Sequence, residues 1–312
     1  MGTHRRHWQA GLVGLIAAGL MVACTTDGES SPAASPGDDD ALSIVVSIAP
    51  QKYFVEQIGG ARVDVWIMVA TGSNPATYEP TPEQLRAISK ADAYVTIGVP
   101  YENAWAERIL AVNRGMTVVD SVEGIERQPM AAHHHGDELS EAEPHGEDAE
   151  NLDPHVWLSP ELVKIQAGTI CKALASLDAR HEAEYRANLD DFLGEIDALD
   201  AHIREKLAGV ETRKFLVFHP AWGYFARDYD LEMMTVEVGG QEPSAAELAE
   251  LITLAEEAGI KVVFAQPEFS TRSAEAIADE IGAEVVLVSP LSPDWQSNLY
   301  QFAEALAQAL DR

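Results

Sequence analysis

The chain has 312 residues, with 51 acidic against 21 basic side chains and a formal net charge of −30. A surface that acidic excludes nucleic acid, whose phosphates need a basic face, and it excludes docking on anionic lipid through a polybasic patch. Only Cys24 and Cys171 are present, which excludes a disulfide framework, while 46% apolar residues give material for a sizeable core.

The chain opens with a basic cluster, His4-Arg5-Arg6-His7, followed by an unbroken apolar or glycine run over 10–23. That run is shorter than the roughly 20 residues a membrane-spanning helix needs, so it reads as the core of an export signal. It ends Leu20-Met21-Val22-Ala23-Cys24, which resembles a bacterial lipobox. Residues 1–23 are therefore expected to be a cleaved lipoprotein signal, with Cys24 carrying the lipid. Residues 24–41 are small, polar, acidic and proline-bearing, the composition of a flexible tether. The protein is expected to be exported, facing the periplasm or the cell surface, and to touch the membrane only through its anchor.

Short valine- and isoleucine-rich runs then alternate with helical patterns. Strands are predicted over 44–48, 63–69, 94–97 and 117–119, and again over 215–218, 233–238, 262–265 and 285–288. Such alternation implies α/β architecture: two lobes with parallel sheets flanked by helices. The lobes are predicted over 42–178 and 211–312. Helix starts are marked by Thr81-Pro82, Ser159-Pro160 and Ser292-Pro293, each a capping hydroxyl before proline. Ser244 with Glu247 forms a capping box. Between the lobes, Leu189, Phe192, Ile196, Leu199, Ile203 and Leu207 recur at spacings of three and four. They predict one apolar stripe on a helix of about 28 residues, about 40 Å long, within a linking segment at 179–210. This helix is expected to be a stiff strut joining the lobes. Cys171, inside a helical pattern, is expected to be a buried, inert thiol.

Residues 131–151 carry His133, His134, His135 and His145 among seven acids, with no apolar periodicity. Histidine-rich tracts bind borderline divalent metals, and acids raise the local cation concentration, so this loop is expected to be an accessory metal-binding segment. Two other histidines stand in apolar, aromatic surroundings. His155 lies in Asp153-Pro154-His155-Val156-Trp157, just before a helix cap, and His219 lies immediately past a predicted strand, before Pro220-Ala221-Trp222. Ligands of open α/β sheets bind outside the carboxyl ends of strands. One such histidine from each lobe, facing a shared cleft, would make a metal-ligand pair.

Several segments together resemble the zinc/manganese solute-binding lipoproteins of ABC transporters, the cluster A-I metal-binding proteins. They are SIAPQKYFVEQIGG, NPATYEPTPEQL, DPHVWLSP, VFHPAWGYFARDY, EPSAAEL, FAQPEFS and SPLSPDWQSNL, in the family's order. The resemblance implies two lobes on a rigid backbone helix, a metal ion held in the cleft by His155 and His219, and delivery to an ABC-transporter permease. It implies no enzyme, and a monomer is expected. Zinc is the first choice of ion and manganese the second, because two imidazoles suit zinc whereas manganese favours more oxygen. The chain also departs from the family. Ala76 stands where a ligand histidine is usual, and Ser289 where a ligand aspartate is usual. Gln51, Glu79, Glu237, Gln266 and Glu268 are the candidate substitutes, with Glu237, at a predicted strand end, the first choice. A secreted metallohydrolase is the catalytic alternative, although neither HExxH nor GxSxG occurs. A surface adhesin with incidental metal, or a binder of metal chelates that bring their own donors, are the others.

Overall fold

The computed structural model describes residues 41–69, 72–130, 152–237 and 241–311. The signal at 1–23 with Cys24, and the loop histidines His133, His134, His135 and His145, lie outside the described residues.

Two four-stranded parallel sheets carry the architecture. The first holds β1 (Leu42–Val46), β2 (Val63–Ile67), β3 (Ala93–Thr96) and β4 (Thr117–Asp120) in the order β2-β1-β3-β4. The second holds β5 (Lys214–Val217), β6 (Glu232–Thr235), β7 (Val262–Ala265) and β8 (Glu284–Leu287) in the order β6-β5-β7-β8. Helices α1 (Ala49–Gly59), α2 (Pro82–Ile88) and α3 (Pro100–Val112) make the crossovers of the first sheet. Helices α6 (Gly223–Asp228), α7 (Ala245–Glu257) and α8 (Arg272–Ile281) make those of the second. Val45, Val46, Leu216 and Val263 are fully buried, as expected of central strands covered on both faces.

The helical segment between the sheets is in two pieces. Helix α4 (Pro160–Leu177) begins at Ser159, whose hydroxyl accepts from the Leu162 N–H at 3.2 Å. After a 3₁₀ turn at Ala179–His181, α5 runs from Glu182 to Leu207, 26 residues and about 39 Å at 1.5 Å per residue. Its stripe is buried as the spacing predicts: Phe192, Ile196, Leu199, Ile203 and Leu207 are all at most 2% exposed. Helix α5 packs against α1 and α4 on one side and α9 (Trp295–Leu310) on the other, so it touches elements of both lobes. One hydrophobic cluster therefore runs from Ile44 and Phe54 through Phe192 and Leu199 to Phe302 and Phe215, and only the outer face of the second sheet has a separate core. Cys171 is a free, buried thiol whose pKa burial pushes up.

Thr81 and Ser244 cap their helices with the predicted boxes. The last cap differs from expectation. Helix α9 starts at Trp295, and Asp294 rather than Ser292 receives the Ser297 N–H, at 3.3 Å. A carboxylate placed directly before the first turn also suits the positive end of the helix dipole.

The lobes are also joined through a pair of tryptophans. The indole N–H of Trp157 donates to the Pro290 carbonyl at 2.7 Å, and that of Trp295 donates to the Trp157 carbonyl at 2.6 Å. The Trp295 ring lies edge-on to Phe54, 5.1 Å between centroids, so the start of the last helix is embedded among side chains of the first lobe.

Candidate metal centre

The carboxyl ends of both sheets face one cavity of about 440 Å³. The first lobe lines it with Asn74, Pro75, Ala76, Thr77, Val99 and Met130, and with the segment that carries His155. The second lobe lines it with His219, Glu237, Gln266, Glu268 and Phe269. No lysine or arginine is among the lining residues. Among the described residues, the cavity wall thus presents two imidazoles and two carboxylates with no cationic side chain to balance them.

His155 opens a 3₁₀ turn at Val156–Leu158 and is 8% exposed. Its backbone N–H donates to Asp153 Oδ1 at 2.9 Å, and its Nδ1 lies 2.7 Å from the same oxygen. Asp153 is fully buried, and its backbone carbonyl accepts the Tyr224 hydroxyl at 2.9 Å. Gly223, one residue earlier, allows this close approach. A Cβ there would lie 2.8 Å from Gln128 Nε2 and 3.0 Å from Asp153 Oδ2. Burial pushes the His155 pKa below the ordinary histidine value, against the opposing pull of Asp153.

His219 follows β5 by two residues, and its ring stacks on Phe269 with centroids 5.0 Å apart. Its Nδ1 lies 2.6 Å from Glu237 Oε2. A carboxylate can only accept, so each histidine places its Nδ1 proton there, and in the neutral imidazole Nε2 is then the nitrogen with the lone pair. The two rings meet edge to face with centroids 5.2 Å apart. This is the arrangement of metal-binding imidazoles, in which the second nitrogen is held by a carboxylate that fixes tautomer and orientation. Among the described residues, no cluster of three or more His, Cys, Asp and Glu side chains stands ready to hold an ion.

The other candidates fall out differently. Gln51 is fully buried and engaged, accepting the Ser47 and Ile48 N–H groups and donating to the Val95 carbonyl. Glu79 is exposed and does not line the cavity. Gln266 is 2% exposed and lines it, with Nε2 free of hydrogen bonds among the described residues. Ala76 lines the cavity with nothing but a methyl group. Ser289 donates its hydroxyl to Glu268 Oε1. Asp153 is the functional group that the residue pattern left unassigned. The available signal was its place two residues before a histidine, where a short acidic side chain folds back on the backbone.

Comparison with known proteins identifies the family. A solved crystal structure of ZnuA superposes with a TM-score of 0.79 at 47% identity, covering 86% of this chain and 99% of that one. A ZnuA deletion mutant with zinc bound gives the same TM-score at 46% identity, covering 88% and 99%. The high-affinity zinc uptake system protein ZnuA of Bacillus subtilis is 30% identical over 307 residues, 94% of this chain and 92% of its own. The model of the periplasmic zinc-uptake complex component A matches residues 44–311. The chain belongs to this ZnuA family of zinc-uptake solute-binding proteins.

Proposed function

We propose that this protein captures one zinc ion between its lobes through Nε2 of His155 and Nε2 of His219, and hands it to the membrane permease of an ABC transporter. The observation that carries this reading is the pair of imidazoles, one from each lobe, each with Nδ1 held by a carboxylate. Glu237 then acts as the orienting partner of His219, as Asp153 does for His155, rather than as a direct donor. Two neutral imidazoles favour zinc over manganese, which prefers more oxygen ligands. The zinc-uptake relatives and the zinc-bound ZnuA structure support the same ion. Among the described residues, no helix is long and apolar enough to cross a membrane. A lipid on Cys24 supplies the membrane attachment in this reading, and a single copy of the chain contains the whole site. The histidines of the 131–151 loop act as weaker accessory donors, since ordering a loop around an ion costs conformational entropy.

The test is elemental analysis of protein purified without added metal, followed by zinc titration of the stripped chain. One tightly held zinc per chain, kept through dialysis and lost in His155→Ala, is the expected result. Tight binding that survives both His155→Ala and His219→Ala would place the ion elsewhere.

A further inference from the structure

The zinc-binding reading leaves the ion with two protein donors, and the second lobe holds a carboxylate for which the fold otherwise gives no use. Glu268 lies three residues past the end of β7, directly before Phe269, the residue on which His219 stacks. It lines the cavity. One of its oxygens, Oε1, accepts the Ser289 hydroxyl. The other, Oε2, is shielded from solvent and has no hydrogen-bond partner among the described residues. A shielded carboxylate oxygen without a donor is costly, and such an atom in a native fold calls for an explanation such as an ion. The cavity lining has no lysine or arginine to provide the positive charge.

The neighbouring positions explain why the carboxylate is here. Ser289 occupies the place at which the resemblance leads one to expect an aspartate, and its short hydroxyl reaches Glu268. The acid stands on the loop after β7 rather than on the loop after β8, and the two loops are bonded to each other. Ser289 is itself fixed: its Oγ also accepts the Leu291 N–H at 3.1 Å, and its carbonyl accepts from Asn298 Nδ2 at 2.9 Å.

We propose that Glu268, positioned by Ser289, is the carboxylate donor of the zinc site, so that the ion is held by His155, His219 and Glu268 with a fourth position open to water. This inference rests on the two-histidine reading above. The Glu268 side chain has to rotate toward the imidazoles when the ion arrives, which fits the absence of a ready-made three-donor cluster among the described residues. Two imidazoles, one carboxylate and an open position form a recognised zinc geometry with an exchangeable fourth ligand. For a protein that must release its cargo, an exchangeable position gives an incoming donor a place to attack.

The test uses the full chain stripped of metal and titrated with zinc against a chromophoric chelator at pH 7.5. Glu268→Gln preserves size and the bond to Ser289 but removes the charge. A purely structural Glu268 would therefore tolerate it, whereas a donor would not. The expected result is at least tenfold weaker zinc binding with an unchanged or raised melting temperature of the metal-free protein. Glu268→Ala should weaken binding at least as much, and Ser289→Ala, which leaves the carboxylate but frees it, by only a few-fold. If Glu268→Gln and Glu268→Ala both bind zinc within twofold of the parent while His155→Ala has lost it, the Glu268 assignment is wrong and the two-histidine site stands. If His155→Ala keeps parental affinity, the two-histidine site fails and this inference fails with it.

Discussion

The two sheets share one strand order and one ladder, and they deliver different chemistry to the same cleft. Val46 pairs with Ile67 and Val95, and Val217 pairs with Thr235 and Phe264, so these residues occupy corresponding places. Beyond the strands the correspondence continues. The Met68 and Val69 N–H groups donate to Val46 and Ser47, as those of Val236 and Glu237 donate to Val217 and Phe218. Ile48 therefore matches His219, Val69 matches Glu237, and Ile97 matches Gln266. At these strand ends the first lobe keeps its polar groups inside. Glu102 accepts the Ile97 and Gly98 N–H groups at 2.9 and 2.7 Å and the Ser47 hydroxyl, while the Tyr94 and Tyr101 hydroxyls lie 2.8 Å apart. Burial raises the Glu102 pKa. The second lobe turns the corresponding positions toward the cavity. A parallel sheet thus provides the places, and side-chain choice at three strand ends decides whether those positions stiffen the lobe or face the cavity, the first lobe reaching the cavity instead through the segment that carries His155.

The largest way to break this difference is to give the second lobe the residue of the first. His219→Ile should weaken zinc binding by at least ~100-fold, roughly 2.8 kcal/mol, read by chelator competition. An affinity near the parent's would mean that the strand-end correspondence says nothing about function. Glu237→Val, the next substitution of the same kind, removes the partner of Nδ1 but no donor. Loss of such an orienting group typically costs about 10–100-fold in affinity. A loss as large as that of His219→Ile would instead make Glu237 a direct ligand. The reverse change enriches the poorer lobe. Ala76→His should tighten binding by about tenfold, ~1.4 kcal/mol, and no change in affinity would show that position 76 does not reach the ion.

Smaller effects concern stability. Trp295→Phe removes the N–H that reaches the Trp157 carbonyl and should cost about 1 kcal/mol, a fall of about 2–4 °C in Tm for a chain of this size. A Tm unchanged within error would remove the hydrogen bond from the account of how the lobes are joined. The least effect is the pH response of the metal-free protein. His155 has a lowered pKa in the folded state, so the unfolded chain takes up its proton first as pH falls. Its contribution is constant above the ordinary histidine value of about 6.5 and is lost below it. His155→Gln should therefore show a shallower decline in Tm between pH 7.5 and 5.5 than the parent, and an equal decline would show that His155 is not held neutral by burial.

Much of this was legible in the residues. The eight apolar runs overlap the eight strands of the described residues; the central ones, β1, β3, β5 and β7, read as continuous apolar runs because they are covered on both faces. The α5 stripe was equally plain: Phe192, Ile196, Leu199, Ile203 and Leu207 are buried and Leu189 is half-buried against the same core. That His155 and His219 would line one cavity was legible because their settings are local: a turn before a helix cap, and a position just past a strand. The roles of the acids were not. Glu237 meets His219 across 18 residues and Ser289 meets Glu268 across 21, through the register of neighbouring parallel strands, which no local pattern encodes. The cap of α9 was misread because Ser292-Pro293 satisfies the same rule as the true cap two residues later.

The tryptophan pair has a consequence for how cargo leaves. Trp157 is two residues from His155, and the Pro290 carbonyl it grips directly follows Ser289. A wide separation of the lobes would have to break both indole hydrogen bonds and pull Trp295 from its place against Phe54. Opening the cleft therefore carries the cost of those contacts, and the loaded and empty chains should share one radius of gyration. In the zinc-capture reading, a cleft held shut in this way favours release by exchange of ligands at the ion over release by wide separation of the lobes.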